Sequence, residues 1–290
     1  MDVLDELEIT AAPVDPEWIA RAKHLMFDES ADFPDGVYGA LFRSGNSFGI
    51  MVSTACPGDG HRRFTIAHEL GHYHLPGHVQ QLFPYDGDGN AVSLGGHFRD
   101  RKDPLEVEAD YFANELLMPE GLVRPVLRRV GEGITAISTL ATEFRTSMSA
   151  AAIRYASVTG EPVAVLISRD GVIEWTSISA ALWEYQWARA TMKKDWAPRG
   201  SGTRRLSLAP DRVRAGDKDG DSMLLCEWLS GAPSTVEVRE EAIGLGGFGR
   251  VLTVLTAQNL ADPDEDDSDQ DADDGRTHDW RDAMRTYRMD

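Results

Sequence analysis

The chain has 290 residues, 42% of them hydrophobic, and 29 basic against 48 acidic side chains give a formal net charge of −19. That apolar content is enough for packed cores, which excludes wholesale disorder, and the length fits two domains. The charge excludes non-specific attraction to nucleic acid or to an anionic membrane, since both repel it at long range.

The acidity is uneven: residues 261–290 carry a net −8, which leaves −11 for the first 260. Cys56 and Cys226 form neither a disulfide framework nor a Cys-x-x-Cys clip. The acidic start Met1-Asp2-Val3-Leu4-Asp5-Glu6 is unlike a secretory signal, and no apolar run approaches the roughly 20 residues of a membrane span. A reduced, cytoplasmic setting without a membrane is the expectation.

In chain order, Asp15-Pro16 followed by Trp18, Ile19, Ala22, Leu25 and Met26 predicts a capped helix with one apolar face. Two apolar runs, Val37–Phe42 and Phe48–Ser53, flank Ser44-Gly45-Asn46-Ser47 and predict a β-hairpin. Arg62–His74 reads as a helix stopped by Leu75-Pro76-Gly77, residues 79–103 as a loop, and Pro104–Met118 and Gly121–Val130 as helices. Ile134–Phe144 and Ser147–Val158 read as two short helices about a tight turn.

Beyond Gly160 the pattern changes. Val163–Ile167 and Val172–Thr176 flank Arg169-Asp170-Gly171, a hairpin signal. Ala180–Lys194 is helical in pattern and carries Trp183 and Trp187, with Trp196 just beyond. Leu224–Leu229, Val236–Val238 and Val251–Thr256 resemble strands. The fold class expected is α+β, with a small sheet and helical bundle followed by a mixed α/β domain. The expected boundaries are a first domain over 1–130, a helix-turn-helix-like segment over 131–160, a second domain over 161–260, and a disordered acidic tail over 261–290.

The strongest chemical signal is Thr65-Ile66-Ala67-His68-Glu69-Leu70-Gly71-His72. Residues four apart share a helix face, so His68 and His72 can point ring nitrogens at one tetrahedral metal, with Glu69 placed to act as a base on its water. His-Glu-x-x-His is expected only about 0.01 times by accident in a chain of this composition.

A catalytic zinc site also wants a third protein ligand. Glu106, at the start of Glu106-Val107-Glu108-Ala109-Asp110, is the leading candidate, with Asp110 one turn on to orient a ligand histidine. His78 is the rival, ten residues after His68, and Glu108 a weaker alternative on a different face. Asp103-Pro104-Leu105-Glu106 also reads as a capping box, in which Glu106 would only cap its own helix.

The stretch Arg63–His72 resembles the ImmA/IrrE family of zinc metallopeptidases. Glu106-Val107-Glu108-Ala109-Asp110-Tyr111-Phe112-Ala113-Asn114-Glu115-Leu116-Leu117-Met118-Pro119 is similar to that family's second signature, with Asp110 where the family often has Asn. The resemblance spans roughly residues 35–160. It implies a zincin-like (gluzincin) domain with His68, His72 and Glu106 as zinc ligands and Glu69 as catalytic base. It also implies a cytoplasmic endopeptidase that cleaves a helix-turn-helix repressor under stress. Tyr85, His97 and Tyr111 are the candidates for stabilising the oxyanion. The alternative is a DNA-binding or metal-sensing regulator with a structural zinc site.

Ile137–Ala150 resembles a helix-turn-helix, with Ser147 placed to cap its second helix. Ser147, Met148 and Ser149 offer no Arg, Lys, Asn or Gln to read bases, so packing or partner docking is the expected role and direct DNA contact is not. Gly244-Leu245-Gly246-Gly247-Phe248-Gly249 matches a dinucleotide fingerprint, but a strand-like run follows it where a helix is required, so a hairpin loop is expected. Radiation-response members of the resembled family carry a GAF-like sensor domain after the peptidase, a part the second half could play.

Overall fold

A computed structural model describes residues 3–84, 90–94, 103–185, 196–229 and 231–260. Among them the chain divides into two units, residues 3–126 with 139–150, and residues 127–138 with 151–260. The architecture is mixed α+β, with a separate sheet in each unit.

The first unit begins with helices α1 (Val3–Glu6) and α2 (Pro16–Ala22). Asp15 caps α2 as its sequence predicts, its Oδ1 accepting from the amides of Glu17 and Trp18. Strands β1 (Met26–Ser30), β2 (Gly39–Ser44) and β3 (Ser47–Ser53) follow. The β2–β3 hairpin turns at Gly45, whose φ of +58° is one that glycine adopts without strain.

Helix α3 (Asp59–His74) ends at Leu75, which is extended; Pro76 cannot continue it, and Gly77, with φ +86°, turns the chain into α4 (His78–Leu82). Strand β4 (Asn90–Leu94) pairs antiparallel with β2, giving a sheet of order β1-β3-β2-β4. The loop expected over 79–103 therefore contains a helix and a strand. Neither is visible locally, because Asn90–Leu94 becomes a strand through its bonds to β2 and not through any alternation of its own. Helix α5 (Pro104–Leu117) packs on α3. The core lies between sheet and helices and includes Ile19, Leu41, Ile50, Val52, Ile66, Leu70, Ala113 and Leu117.

Helices α6 (Glu120–Val130), α7 (Gly133–Glu143) and α8 (Met148–Val158) carry the chain onward. The α7–α8 turn has the helix-turn-helix look expected of it: Arg145 is left-handed, and Ser147 Oγ accepts from the Ala150 amide. Residues 150–156 of α8 are all buried. The turn packs on the first turn of α3, where a Cβ at Gly60 would lie 3.0 Å from the Ser147 nitrogen.

In the second unit, β5 (Val163–Arg169) and β6 (Val172–Ile178) form the predicted hairpin, with Asp170 and Gly171 at positive φ. Helices α9 (Ala180–Trp183), α10 (Gly202–Ser207) and α11 (Pro210–Ala215) precede strand β7 (Lys218–Leu224). Strands β8 (Glu237–Gly244) and β9 (Arg250–Ala257) complete an antiparallel sheet of order β6-β5-β9-β8-β7. β5 and β9 lie inside the sheet and are buried along nearly all their length, so they read as continuous apolar runs. The Gly244–Gly249 stretch is the β8–β9 connection, closed by the Leu245 amide donating to the Arg250 carbonyl at 2.8 Å, and no helix follows it.

Two expectations need correction here. The helix predicted over 180–194 extends only to Trp183 before the chain turns; the rest, with Trp187, lies outside the described residues, as does the acidic segment 261–290. Leu224–Leu229 is not a strand, because β7 ends at Leu224 and a single 3-10 turn follows. Leu225, Trp228 and Leu229 are apolar because they are buried in the core, a property that does not distinguish strand from turn.

A buried carboxylate ties α10 to the sheet. Glu240 on β8 is 2% exposed and accepts from the amides of Gly202 and Thr203 and from the Thr203 hydroxyl at 2.6–2.8 Å. A carboxylate against the free amides that open α10 replaces the water it gives up.

Candidate metal centre

The centre is built where α3 crosses α5. Gly71 makes the crossing close: a Cβ there would lie 3.1 Å from the Ala109 Cα and 3.2 Å from its carbonyl oxygen. The approach sets the first turns of α5 against one face of α3. His68 and His72, one turn apart, are 8% and 2% exposed, and Glu106 opposite them is 6% exposed.

The three residues converge on one point. His68 Nε2 and His72 Nε2 are 3.0 Å apart, Glu106 Oε2 is 3.2 Å from the first, and Glu106 Oε1 is 3.4 Å from the second. Four ligands held tetrahedrally at 2.0–2.1 Å stand roughly 3.3–3.4 Å from one another. The triangle therefore has the size a zinc-like cation requires. Its chemistry fits too, since two imidazoles and a carboxylate packed this closely need a positive charge between them.

Protonation reflects that need. Burial opposes the His68 imidazolium, yet hydrogen bonds to Asp110 and Glu106 outweigh it and hold the pKa well above the ordinary histidine value. At His72 burial prevails over the Glu106 hydrogen bond, and the pKa falls. Burial would raise Glu106, but hydrogen bonds from both histidines hold its carboxyl well below the usual range.

Each candidate from the sequence has a definite place. Asp110 lies behind His68, its Oδ1 2.8 Å from Nδ1, where it would hold a proton on Nδ1 and leave Nε2 to a metal that displaces the other proton. His78 is fully buried but is not among the converging donors; its Nδ1 is 3.0 Å from Nδ1 of His72, on the far side of that ring. The Glu108 carboxylate is 3.2 Å from His78 Nε2. Asp103 caps α5 through the Leu105 amide, while the Glu106 carboxylate turns to the histidines.

Glu69 is 2% exposed and lies against β2, where a Cβ at Gly39 would come within 3.2 Å of its Oε1. Tyr111 stands five residues after Glu106, about 140° round the helix from it, and Tyr85 and His97 lie outside the described residues. Sequence reasoning missed Gly39 and Gly71, whose roles depend on what approaches them. A glycine within the His-Glu-x-x-His segment was the available signal for the second.

Residues 38–155 match the family model of the IrrE N-terminal-like domain, Peptidase_M78. Among solved structures, a transcriptional regulator from Mycobacterium tuberculosis is similar in fold, with a TM-score of 0.56 at 15% identity over 88% of this chain and 74% of that one. No curated protein matches at a significant level. The span that matches the IrrE N-terminal-like family model contains both segments that build the centre, Arg63–His72 and Glu106–Pro119.

Proposed function

We propose that the chain is a zinc-dependent endopeptidase that cuts a helix-turn-helix transcriptional repressor at a specific site. The observation that carries this reading is the buried His68–His72–Glu106 triangle with the Glu69 carboxylate on the next residue of the same helix. A purely structural metal has no use for a base beside its ligands.

A divalent metal held by these donors would supply Lewis acidity, acidifying a water molecule and polarising the scissile carbonyl. Glu69, held against Gly39, takes the proton as water adds to the carbonyl carbon, and returns it to the amine nitrogen as the C–N bond breaks. Asp110 keeps His68 in its Nδ1–H form throughout.

Two further features support a regulatory substrate. The fold is similar to that of a protein named as a transcriptional regulator. The chain's own helix-turn-helix-like turn braces the N-terminus of α3, and residues 150–156 of α8 are buried, which suits a scaffold and leaves DNA reading to another protein.

The test is Glu69→Gln in the full chain, incubated with the purified product of any adjacent repressor gene and read by mass spectrometry of fragments. The variant is expected to bind zinc like the parent and to release no fragments. Cleavage at the parental rate overturns the peptidase reading.

A further inference from the structure

We infer that His78 is a positioning residue that holds His72 as a metal ligand through a two-step hydrogen-bond relay ending at Glu108. The inference rests on the metal reading of the centre and adds to it the way the second histidine is supported.

Both ligand histidines must present Nε2 as a lone pair, so each carries its proton on Nδ1. For His68 the acceptor is Asp110 at 2.8 Å. For His72, among the described residues, that place is taken by His78, whose Nδ1 faces Nδ1 of His72 at 3.0 Å. One of the two nitrogens donates. If His78 donated, His72 would carry its proton on Nε2 and could not bind a metal. The geometry therefore assigns donation to His72 and acceptance to His78. His78 then has its single proton on Nε2, which faces Glu108 Oε2 at 3.2 Å.

The local backbone is built for this contact. Proline and a left-handed glycine at positions 76 and 77 fold the chain back at the end of α3, so that α4 opens with a fully buried His78 beside the ring of His72. Three acidic residues of α5 are thus used in turn: Glu106 on the metal side, Asp110 directly behind His68, and Glu108 behind His72 by way of His78. Partners of this kind fix ring orientation and tautomer, and their loss typically weakens metal affinity about 10–100-fold.

The experiment measures zinc dissociation constants for the full chain by competition with a chromophoric chelator. His78→Phe keeps the ring volume and removes the acceptor; about 10–100-fold weaker binding is expected. His78→Asn puts an oxygen near the position of Nδ1 and is expected to recover most of the loss, which a packing role would not allow. Unchanged affinity in His78→Phe, or equal losses in both variants, overturns the relay.

Should His78→Phe fail to fold, ¹⁵N-histidine spectra of the zinc-loaded parent decide the matter. The expected pattern is His78 protonated on Nε2 and His72 on Nδ1. A metal-shifted nitrogen on His78, or its Nδ1–H form, overturns the assignment. His68→Ala serves as the reference. If it loses zinc while His78→Phe does not, only the relay fails; if it binds zinc like the parent, the metal reading fails as well.

Discussion

Gly71 of α3 packs directly on the backbone of Ala109 of α5, where a methyl group would make tighter than ordinary contact and push the neighbour back by a few tenths of an ångström. The two helices that carry the candidate metal donors His68, His72 and Glu106 are held together at this point, so the donor spacing depends on a residue outside the triangle. In an ordinary helix Gly→Ala stabilises by up to about 1 kcal/mol. Here the added carbon would lie 3.1 Å from both the Ala109 Cα and the Phe112 ring, and overpacking of this kind costs about 1–3 kcal/mol. The second effect wins. Gly71→Ala is expected to lower the melting temperature of the metal-free protein and to weaken zinc binding, measured by thermal unfolding and chelator competition.

Gly39 bears on Glu69, the proposed base, and not on the candidate metal donors. A methyl group at this position would collide with Thr65 Cγ2 at 2.3 Å and come within 3.2 Å of Glu69 Oε1. Gly39→Ala is expected to cut turnover of a cleaved substrate at least tenfold while zinc content, measured by elemental analysis, stays at the parental level.

Zinc uptake is expected to release a proton near neutral pH. Asp110 and Glu106 raise the His68 pKa above its ordinary value of about 6.5, so the metal-free site holds a proton that zinc must displace. Affinity therefore rises with pH until the folded-state pKa of His68 is passed. The sign is opposite for the metal-free fold: its stabilisation by charged His68 is complete below about pH 6.5 and is lost as pH rises through the folded value. Calorimetry in buffers of different ionisation enthalpy counts the proton, and Asp110→Ala is expected to reduce the release.

Glu240 offers a test away from the centre. Replacing it by alanine strips the Gly202 and Thr203 amides of their acceptor inside a buried region, at about 1–3 kcal/mol for each group left unsatisfied. Glu240→Ala is expected to lower the denaturant midpoint clearly, whereas exposed Asp211→Ala leaves it within experimental error.

Much of the first unit was legible because its signals are local. Asp15 before Pro16 caps a helix, glycine and asparagine between apolar runs turn a hairpin, and histidines four apart share a helix face. Strand β4 and the exposed strands β1 and β7 were not legible. Their residues alternate weakly, and their pairing partners, not their own pattern, make them strands. Leu224–Leu229 misled for the converse reason: burial made the run apolar while the backbone turned.

The sequence by itself determined that a helix would present His68 and His72 on one face beside Glu69, because helical periodicity is a property of a single turn and needs no partner. For the third donor it favoured Glu106, with His78 as rival and Glu108 as a weaker alternative. Only the tertiary structure decided which of these groups faces the two Nε2 atoms and which stands behind a ring, since that depends on how closely α5 approaches α3 and on how the chain reverses at Gly77. Contacts between residues some 30 to 40 positions apart are set by packing across two helices, and no local pattern of side chains records the distance between them.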